Sequence, residues 1–450
     1  MALNLTTPPG ISRQGLSDQV GIRARRRIMR RLLPYLFLLY IINYLDRVNV
    51  SYAALEMTKD LHFTAEVFGF GAGIFFVGYF LLEVPGTLLV ETWSAKAWIA
   101  RIMITWGLVA VLMGFMNSAT QFYWLRLVLG AAEAGFFPGI IVYLTHWFRY
   151  QDRAKAVALF MAAVPLSNFI GAPFSGLLLG VNWFGLAGWR WLFILEGAPA
   201  VILGIVTIFY LTDRPHQARW LAEDEREWIR AELEKEKEIK KGAHSYRVWE
   251  ALRHREVVLL ALAYFFIVTG TYGLNFWLPT IVKSLSGLPN MLVTLVTALP
   301  YLIAFLAMMF AGWSSDRTNE RRWHTAVPMI VGGIGLFLSA VTLNTSTALV
   351  VAMFCIAAAG LYSYFPGFWA LPTNFLAGSA AAASIGLINS IGNLGGFAGP
   401  YIVGYLNTAT KSFLGGIMYL SLSALAGAGL ILALRQTKPP TIKPSEVVTE

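Results

Sequence analysis

The chain has 450 residues, of which 57% are hydrophobic and 13% charged, with a mean hydropathy of +0.60. That leaves too little polar surface to cover a water-soluble domain and places the chain among integral membrane proteins. The net charge of +10 does not read as a nucleic-acid footprint, because all but Arg47, Lys59, Arg126, Arg190, Lys283 and Lys411 of the 35 Lys and Arg fall in the termini or in alternate loops on one side of the predicted spans.

Residues 1–31 are polar, hold Pro8-Pro9 and six arginines between Arg23 and Arg31, and lack the apolar core of a cleaved signal peptide. They are expected to be a cytoplasmic tail that orients the first span. Twelve apolar segments follow, at 32–54, 66–90, 97–116, 121–146, 154–181, 189–211, 257–282, 290–312, 324–342, 347–372, 379–406 and 412–434. Each meets the length of about 17 to 25 residues that a spanning helix needs, with tilt in the longer ones. The short alternating segments of a membrane β-barrel do not occur.

Between spans 6 and 7 the run 212–256 is charged throughout, with Glu223 to Glu227 and Glu232 to Glu238 at helical spacing. It reads as a solvated cytoplasmic linker. It separates an N-terminal bundle, 32–211, from a C-terminal bundle, 257–434, and residues 435–450 form a second cytoplasmic tail. The expected fold is therefore an all-α membrane protein of twelve transmembrane helices in two six-helix bundles, with both termini cytoplasmic by the positive-inside rule.

Span 2 carries Gly69, Gly71, Gly73 and Gly78, span 5 Pro165, Gly171, Pro173 and Gly176, and span 11 Gly386, Gly392, Gly395, Gly396, Gly399 and Pro400. Such residues let helices bend and approach one another closely. The loop Gly312-Trp-Ser-Ser-Asp316-Arg317 after span 8 weakly echoes the loop from Gly86 to Lys96 after span 2. A 6+6 chain with a repeated basic loop points to a two-bundle transporter with its site between the bundles near the midplane.

The single Cys355 excludes an internal disulfide and a thiolate metal cluster, and none of the six histidines lies mid-membrane. No grouping of nucleophile, base and paired carboxylates suggests an enzyme, a metal or a cofactor. The expected partners are the lipid bilayer, a small organic anion and a proton, with the chain acting as a monomer.

The motifs Tyr44-Leu-Asp-Arg-Val-Asn-Val50, Arg126-Leu-Val-Leu-Gly-Ala-Ala-Glu133-Ala-Gly-Phe-Phe-Pro138-Gly139, Gly367-Phe-Trp369-Ala-Leu-Pro372 and Leu387-Ile-Asn389-Ser-Ile-Gly-Asn393-Leu-Gly-Gly396 occur in order along the chain. In these the chain resembles the major facilitator superfamily, and within it the anion:cation symporters of the bacterial tartrate type. The resemblance implies an inner-membrane transporter in which Arg47 receives the substrate carboxylate and Asp46 and Glu133 couple it to protons. It also implies the substrate class, a hydroxylated carboxylate such as tartrate or a sugar acid. The chain departs from the family pattern at Thr87, Thr92 and Ser94 in the loop after span 2, at Asn168 in span 5 and at Asn374 in span 10.

Six charged residues lie within or near the ends of the spans: Asp46, Arg47, Glu83, Arg126, Glu133 and Glu196, all in the first half. A charge at the centre of a membrane helix costs at least about 2.5 kcal/mol, so it faces a partner or a watery cavity. With a rise of about 1.5 Å per residue, Asp46 and Arg126 come to comparable heights, and Glu133 shares a helical face with Arg126. Asp46 and Arg126 are thus a candidate buried pair, Arg47 the substrate clamp and Glu133 the open end of a proton relay. The clamp calls for arginine, whose planar fork grips a carboxylate through two charge-assisted hydrogen bonds.

The uncharged half must offer polar and aromatic groups, and Tyr272, Asn275, Tyr362, Trp369, Asn389 and Asn393 are candidates alongside Tyr44, Tyr79 and Asn168. Glu83, Asp316 and Arg317 are candidate gating residues. Competing readings stand beside these: a purely structural ion network, a structural Glu196–Arg190 pair, and ordinary packing for Tyr362 and Trp369. The function expected is proton-coupled import of an organic anion. The alternatives are exchange or facilitated passage of another carboxylate (phthalate, hydroxyphenylacetate) and a non-transporting membrane sensor.

Overall fold

A computed structural model of the chain describes residues 13–241, 254–372 and 378–434. Pro8-Pro9, part of the linker, Asn374 and the tail 435–450 lie outside the described residues. Within them the regular structure is helical: α1 Arg13–Asp60, α2 Ala65–Thr92, α3 Ala95–Met113, α4 Ala119–Glu133, α5 Phe136–Thr145, α6 Tyr150–Met161, α7 Ala163–Leu179 and α8 Gly188–Tyr210 in the first half. The linker contributes α9 Glu223–Lys241. The second half comprises α10 Arg255–Ser286, α11 Asn290–Thr318, α12 Trp323–Val341, α13 Thr347–Ser363, α14 Phe365–Ala370, α15 Gly378–Asn393, α16 Gly395–Thr410 and α17 Leu414–Leu432.

Several starts are marked by capping side chains. Thr64, Ser94, Ser118 and Ser346 each accept a hydrogen bond from the amide three residues on, satisfying a donor that the first turn leaves open. Four predicted spans, however, are each built from two helices rather than one. Three of these breaks fall where proline chemistry puts them: a proline ring crowds the carbonyl four residues earlier. Pro138 acts on Ala134, Pro165 on Met161 and Pro366 on Tyr362, and α4, α6 and α13 end at or within one residue of these positions. At the first break Gly135 takes φ of 83°, a left-handed backbone that a side chain would strain. The fourth break, at Leu394 between α15 and α16, lies among glycines instead.

Ten helical stretches of the described residues are long and apolar enough to cross a membrane. The α6–α7 and α15–α16 pairs run along two further predicted spans. The 48 residues of α1 extend about 72 Å, more than twice the hydrocarbon thickness of about 30 Å. Part of the expected N-terminal tail is thus a helical continuation of span 1. It docks on α9, where Arg23 pairs with Asp224 and Arg27 with Glu225 (2.7 Å). We call this the linker end of the molecule and the opposite end, where Asp60 and Arg190 lie, the distal end.

Within the first half α3 packs on α8 and α2 on α4; in the second, α12 packs on α13 and α17, and α10 on α16 and α17. The halves meet along α2 with α16, α7 with α11, and α1 with α10. Gly69 lets α2 approach α16 to backbone distance, since a Cβ there would stand 2.4 Å from the Pro400 carbonyl oxygen.

Candidate functional site

Helical spacing brings Tyr40, Tyr44 and Arg47 of α1 onto one face, at i, i+4 and i+7, and does the same for Tyr79 and Glu83 of α2. These faces meet α10, α13, α14 and α15 of the other half around a cavity of about 70 Å³. Seven tyrosines line it: Tyr40, Tyr44, Tyr79, Tyr264, Tyr272, Tyr362 and Tyr364. Thr271, Trp369, Asn389, Asn393 and Arg47 complete the polar lining.

Arg47 is 7% exposed and stands at the seam. One terminal nitrogen donates to the Tyr272 hydroxyl of the opposite half (3.0 Å) and the other to the Glu133 carboxylate of its own. The rings of Tyr79, Phe75 and Tyr44 lie 5.3, 5.5 and 5.7 Å from the guanidinium carbon, adding cation–π attraction. Its Nε is buried and has no hydrogen-bond partner. Glu133 is the last residue of α4, so its carboxylate faces the negative end of the helix dipole, a repulsion that Arg47 offsets.

The candidate Asp46–Arg126 pair does not form. Asp46 turns about 100° away from Arg47, as adjacent helical residues must, and accepts from the indole of Trp106 (2.9 Å) on α3. Arg126 faces α2 instead, where it donates to the carbonyls of Ala72 (3.0 Å) and Gly71 (3.4 Å) and lies 4.8 Å from the Phe75 ring. Equal height did not bring the two together because the rotation of each helix points them at different neighbours. Glu196 likewise accepts from Ser175 (2.9 Å), while Arg190 turns to Asn117 (2.8 Å) and, more loosely, to Asp60 (4.0 Å).

Glu83 reaches across the seam and accepts from Asn389 and from Ser390 (3.0 Å). Asp316 and Arg317 are not part of this contact. Asp316 pairs with Arg321 (2.7 Å) and is largely exposed, and Arg317 stacks 5.5 Å over Trp313. Both sit at the linker end of α11, away from the cavity.

A second polar chain crosses the seam. Asn168 donates to the Tyr362 hydroxyl (3.3 Å), which donates to Asn275 Oδ1 (2.9 Å). Only Tyr362 of the three lines the cavity; the two asparagines lie behind it. Trp369 meets Tyr264 edge-on at 5.1 Å, and its buried indole N–H has no partner, leaving a donor at the cavity wall.

Sequence reasoning missed Tyr40, Tyr264, Thr271 and Tyr364. A helical stripe was there to be read: Tyr40 stands one turn before Tyr44, and Tyr264, Thr271, Tyr272 and Asn275 follow a 3.6-residue period. Among the described residues no three His, Cys, Asp or Glu side chains come together as a metal site.

A sequence profile described as Major Facilitator Superfamily matches residues 36–400. A protein of Agrobacterium vitis named "Putative tartrate transporter" is 46% identical over 94% of this chain and 97% of its own length. An Acinetobacter baumannii protein named "Quinolone resistance transporter" is 39% identical over 89% of this chain and 92% of its own. In three dimensions the chain resembles the crystal structure of a bacterial homologue of the human lysosomal transporter Spinster, with a TM-score of 0.70 at 16% identity over 90% of this chain and 95% of that one. The chain therefore belongs to the Major Facilitator Superfamily, as a multi-pass inner-membrane transporter and not an enzyme.

Proposed function

We propose that the chain crosses the membrane twelve times, with its termini and linker cytoplasmic, and imports a small hydroxylated carboxylate together with protons. The α6–α7 and α15–α16 pairs each count as one broken span in this reading, and the arginines gathered at the linker end support its orientation. The tartrate name of the Agrobacterium relative and the hydroxyl-rich cavity wall support the substrate class.

The observation that carries the reading is Arg47, held by Glu133 at the seam with the Nε donor of its fork unpartnered. An incoming carboxylate that takes two donors of that fork displaces Glu133. A carboxylate stripped of its cation in a water-poor site is strongly disfavoured unless it takes a proton. Anion binding and protonation of Glu133 therefore go together, and the proton gradient drives uptake. The seam contacts of Glu83 with Asn389 and Ser390 then close the linker side of the cavity, and their release opens it as one half rocks against the other.

The aromatic wall around Trp369 favours one second reading, an aromatic carboxylate such as phthalate or hydroxyphenylacetate. Uptake into proteoliposomes under an imposed pH gradient, competed by tartrate, aldonates and these aromatic acids, separates the two. Glu133→Gln is expected to abolish uphill accumulation while leaving counterflow of labelled substrate. Accumulation at the wild-type level in that variant rejects the coupling role.

A further inference from the structure

At the linker end, a second cleft of about 500 Å³ opens between the start of α1, the end of α8 and the loop leading to α9. Arg23, Arg26, Arg27, Arg30 and Arg31 line it from α1, against Tyr210, Trp220 and the carboxylate of Glu225. Their spacing, i, i+3, i+4, i+7 and i+8, puts all five on one face of the helix. The transport cycle proposed above uses none of them.

The charges in this cleft are unevenly answered. Arg27 is held by Glu225 (2.7 Å), and Arg23 by Asp224 and more distantly by Glu225 (3.9 Å). Arg26, Arg30 and Arg31 have no carboxylate within ion-pair distance among the described residues. Like charges on successive turns of a helix repel. Arg31 is also fixed in place: its guanidinium lies 4.7 Å from the Tyr210 ring centre and 5.0 Å from that of Trp220, and its buried Nε has no hydrogen-bond partner. The arrangement is a preformed anion receptor, with two arginines anchored by acids and three presenting free donors.

Its height tells which anion. Arg31 is followed directly by Leu32, the first residue of the apolar run, and Tyr210 is the last residue of α8. Both mark the boundary of the hydrocarbon, where tyrosine and tryptophan collect and where lipid phosphates lie. Basic pockets between helices at this level, on the cytoplasmic face, suit acidic headgroups.

We infer that this cleft binds a phosphate group, that of an anionic membrane phospholipid, which neutralises the Arg26, Arg30 and Arg31 cluster and pins the extended N-terminal end of α1 to the bilayer surface. The inference is independent of which substrate the central cavity takes.

Full-length protein, stripped of lipid in neutral detergent, is titrated with phosphatidylglycerol, phosphatidylcholine and inorganic phosphate, and bound ligand is counted by native mass spectrometry. Wild type is expected to bind phosphatidylglycerol saturably and phosphatidylcholine not at all. In Arg26→Gln/Arg30→Gln/Arg31→Gln the affinity is expected to fall at least about tenfold. Arg226→Gln/Arg230→Gln/Lys235→Gln, which removes equal charge from α9, is expected to bind as wild type does. If the first variant fails to fold, Arg30→Gln alone, at an exposed position, is expected to weaken binding about threefold.

Phosphate that binds wild type but not the cleft variant, without lipid binding, keeps the anion site and makes its ligand a soluble phosphate. Equal losses in the cleft and α9 variants, or no saturable binding of either ligand, overturn the proposal.

Discussion

The two halves of this transporter divide the chemistry unequally. Among the described residues of the spans, every buried carboxylate and guanidinium belongs to the first half: Asp46, Arg47, Glu83, Arg126, Glu133 and Glu196. The second half faces them with neutral groups, chiefly tyrosine, asparagine, serine and threonine. Polar contacts across the seam accordingly join an ion to a neutral partner, as in Arg47 to Tyr272 and Glu83 to Asn389, or two neutral groups, as in Asn168 to Tyr362. A hydrogen bond to a charged group contributes about 1.5 to 3 kcal/mol. Breaking a buried ion pair by removing one partner costs about 3 to 5 kcal/mol. Halves joined by the weaker kind of contact can part without stranding a charge, while the stronger pair, Arg47 with Glu133, stays within one body.

The sharpest way to break this comparison is at Arg47. Arg47→Lys keeps the charge but loses the fork, and substrate affinity measured by calorimetry is expected to fall about thirtyfold or more. Affinity equal to wild type would mean that charge alone holds the anion. A smaller effect is expected from Tyr272→Phe, which removes the neutral acceptor across the seam and leaves Glu133 in place. The apparent KM should rise about five- to tenfold with proton-driven accumulation retained. Loss of accumulation would instead make the second half a party to coupling.

The smallest effect concerns a carboxylate of the second half outside the membrane. Burial alone would raise the Glu320 carboxyl, but hydrogen bonds from the amides of Trp323 (2.9 Å) and His324 (3.1 Å), with the His324 ring beside it, hold it below the usual carboxylate value. Because the folded-state value is the lower one, this stabilisation is present above the unfolded value of about 4.3 and is lost as pH falls through the folded one. Glu320→Gln should therefore destabilise by about 0.5 kcal/mol at neutral pH, as loss of a helix-end acceptor does. The deficit should fade in acid, with uptake unchanged. A transport defect in this variant would extend the working charges beyond the first half.

Much of this division is written openly in the chain. Apolar run lengths announce the spans, and the confinement of span charges to residues up to Glu196 announces which half holds the ions. Three of the four helix breaks are also signalled, by Pro138, Pro165 and Pro366. Yet Pro34, Pro173 and Pro279 lie inside unbroken helices, so the residue type alone does not decide the matter. Partner choice was the hidden part. Rise per residue fixes the height of Asp46, Arg47, Arg126 and Glu133, but the azimuth of each helix is set by packing, through contacts such as Trp106 against Phe136 at 4.9 Å that no local pattern encodes. The pairing therefore came out as Arg47 with Glu133.

Arg126 deserves a mechanical reading as well. It bonds to two main-chain oxygens of α2 and so rivets that helix to α4, while on the other side Gly69 and Gly73 let the α16 backbone come close and Phe70 between them meets the Phe397 and Tyr401 rings of α16 edge-on. A helix bolted by hydrogen bonds on one side and held on the other chiefly by non-directional aromatic and backbone packing is suited to act as a bearing: α2 travels with its own bundle, and α16 can shift against it.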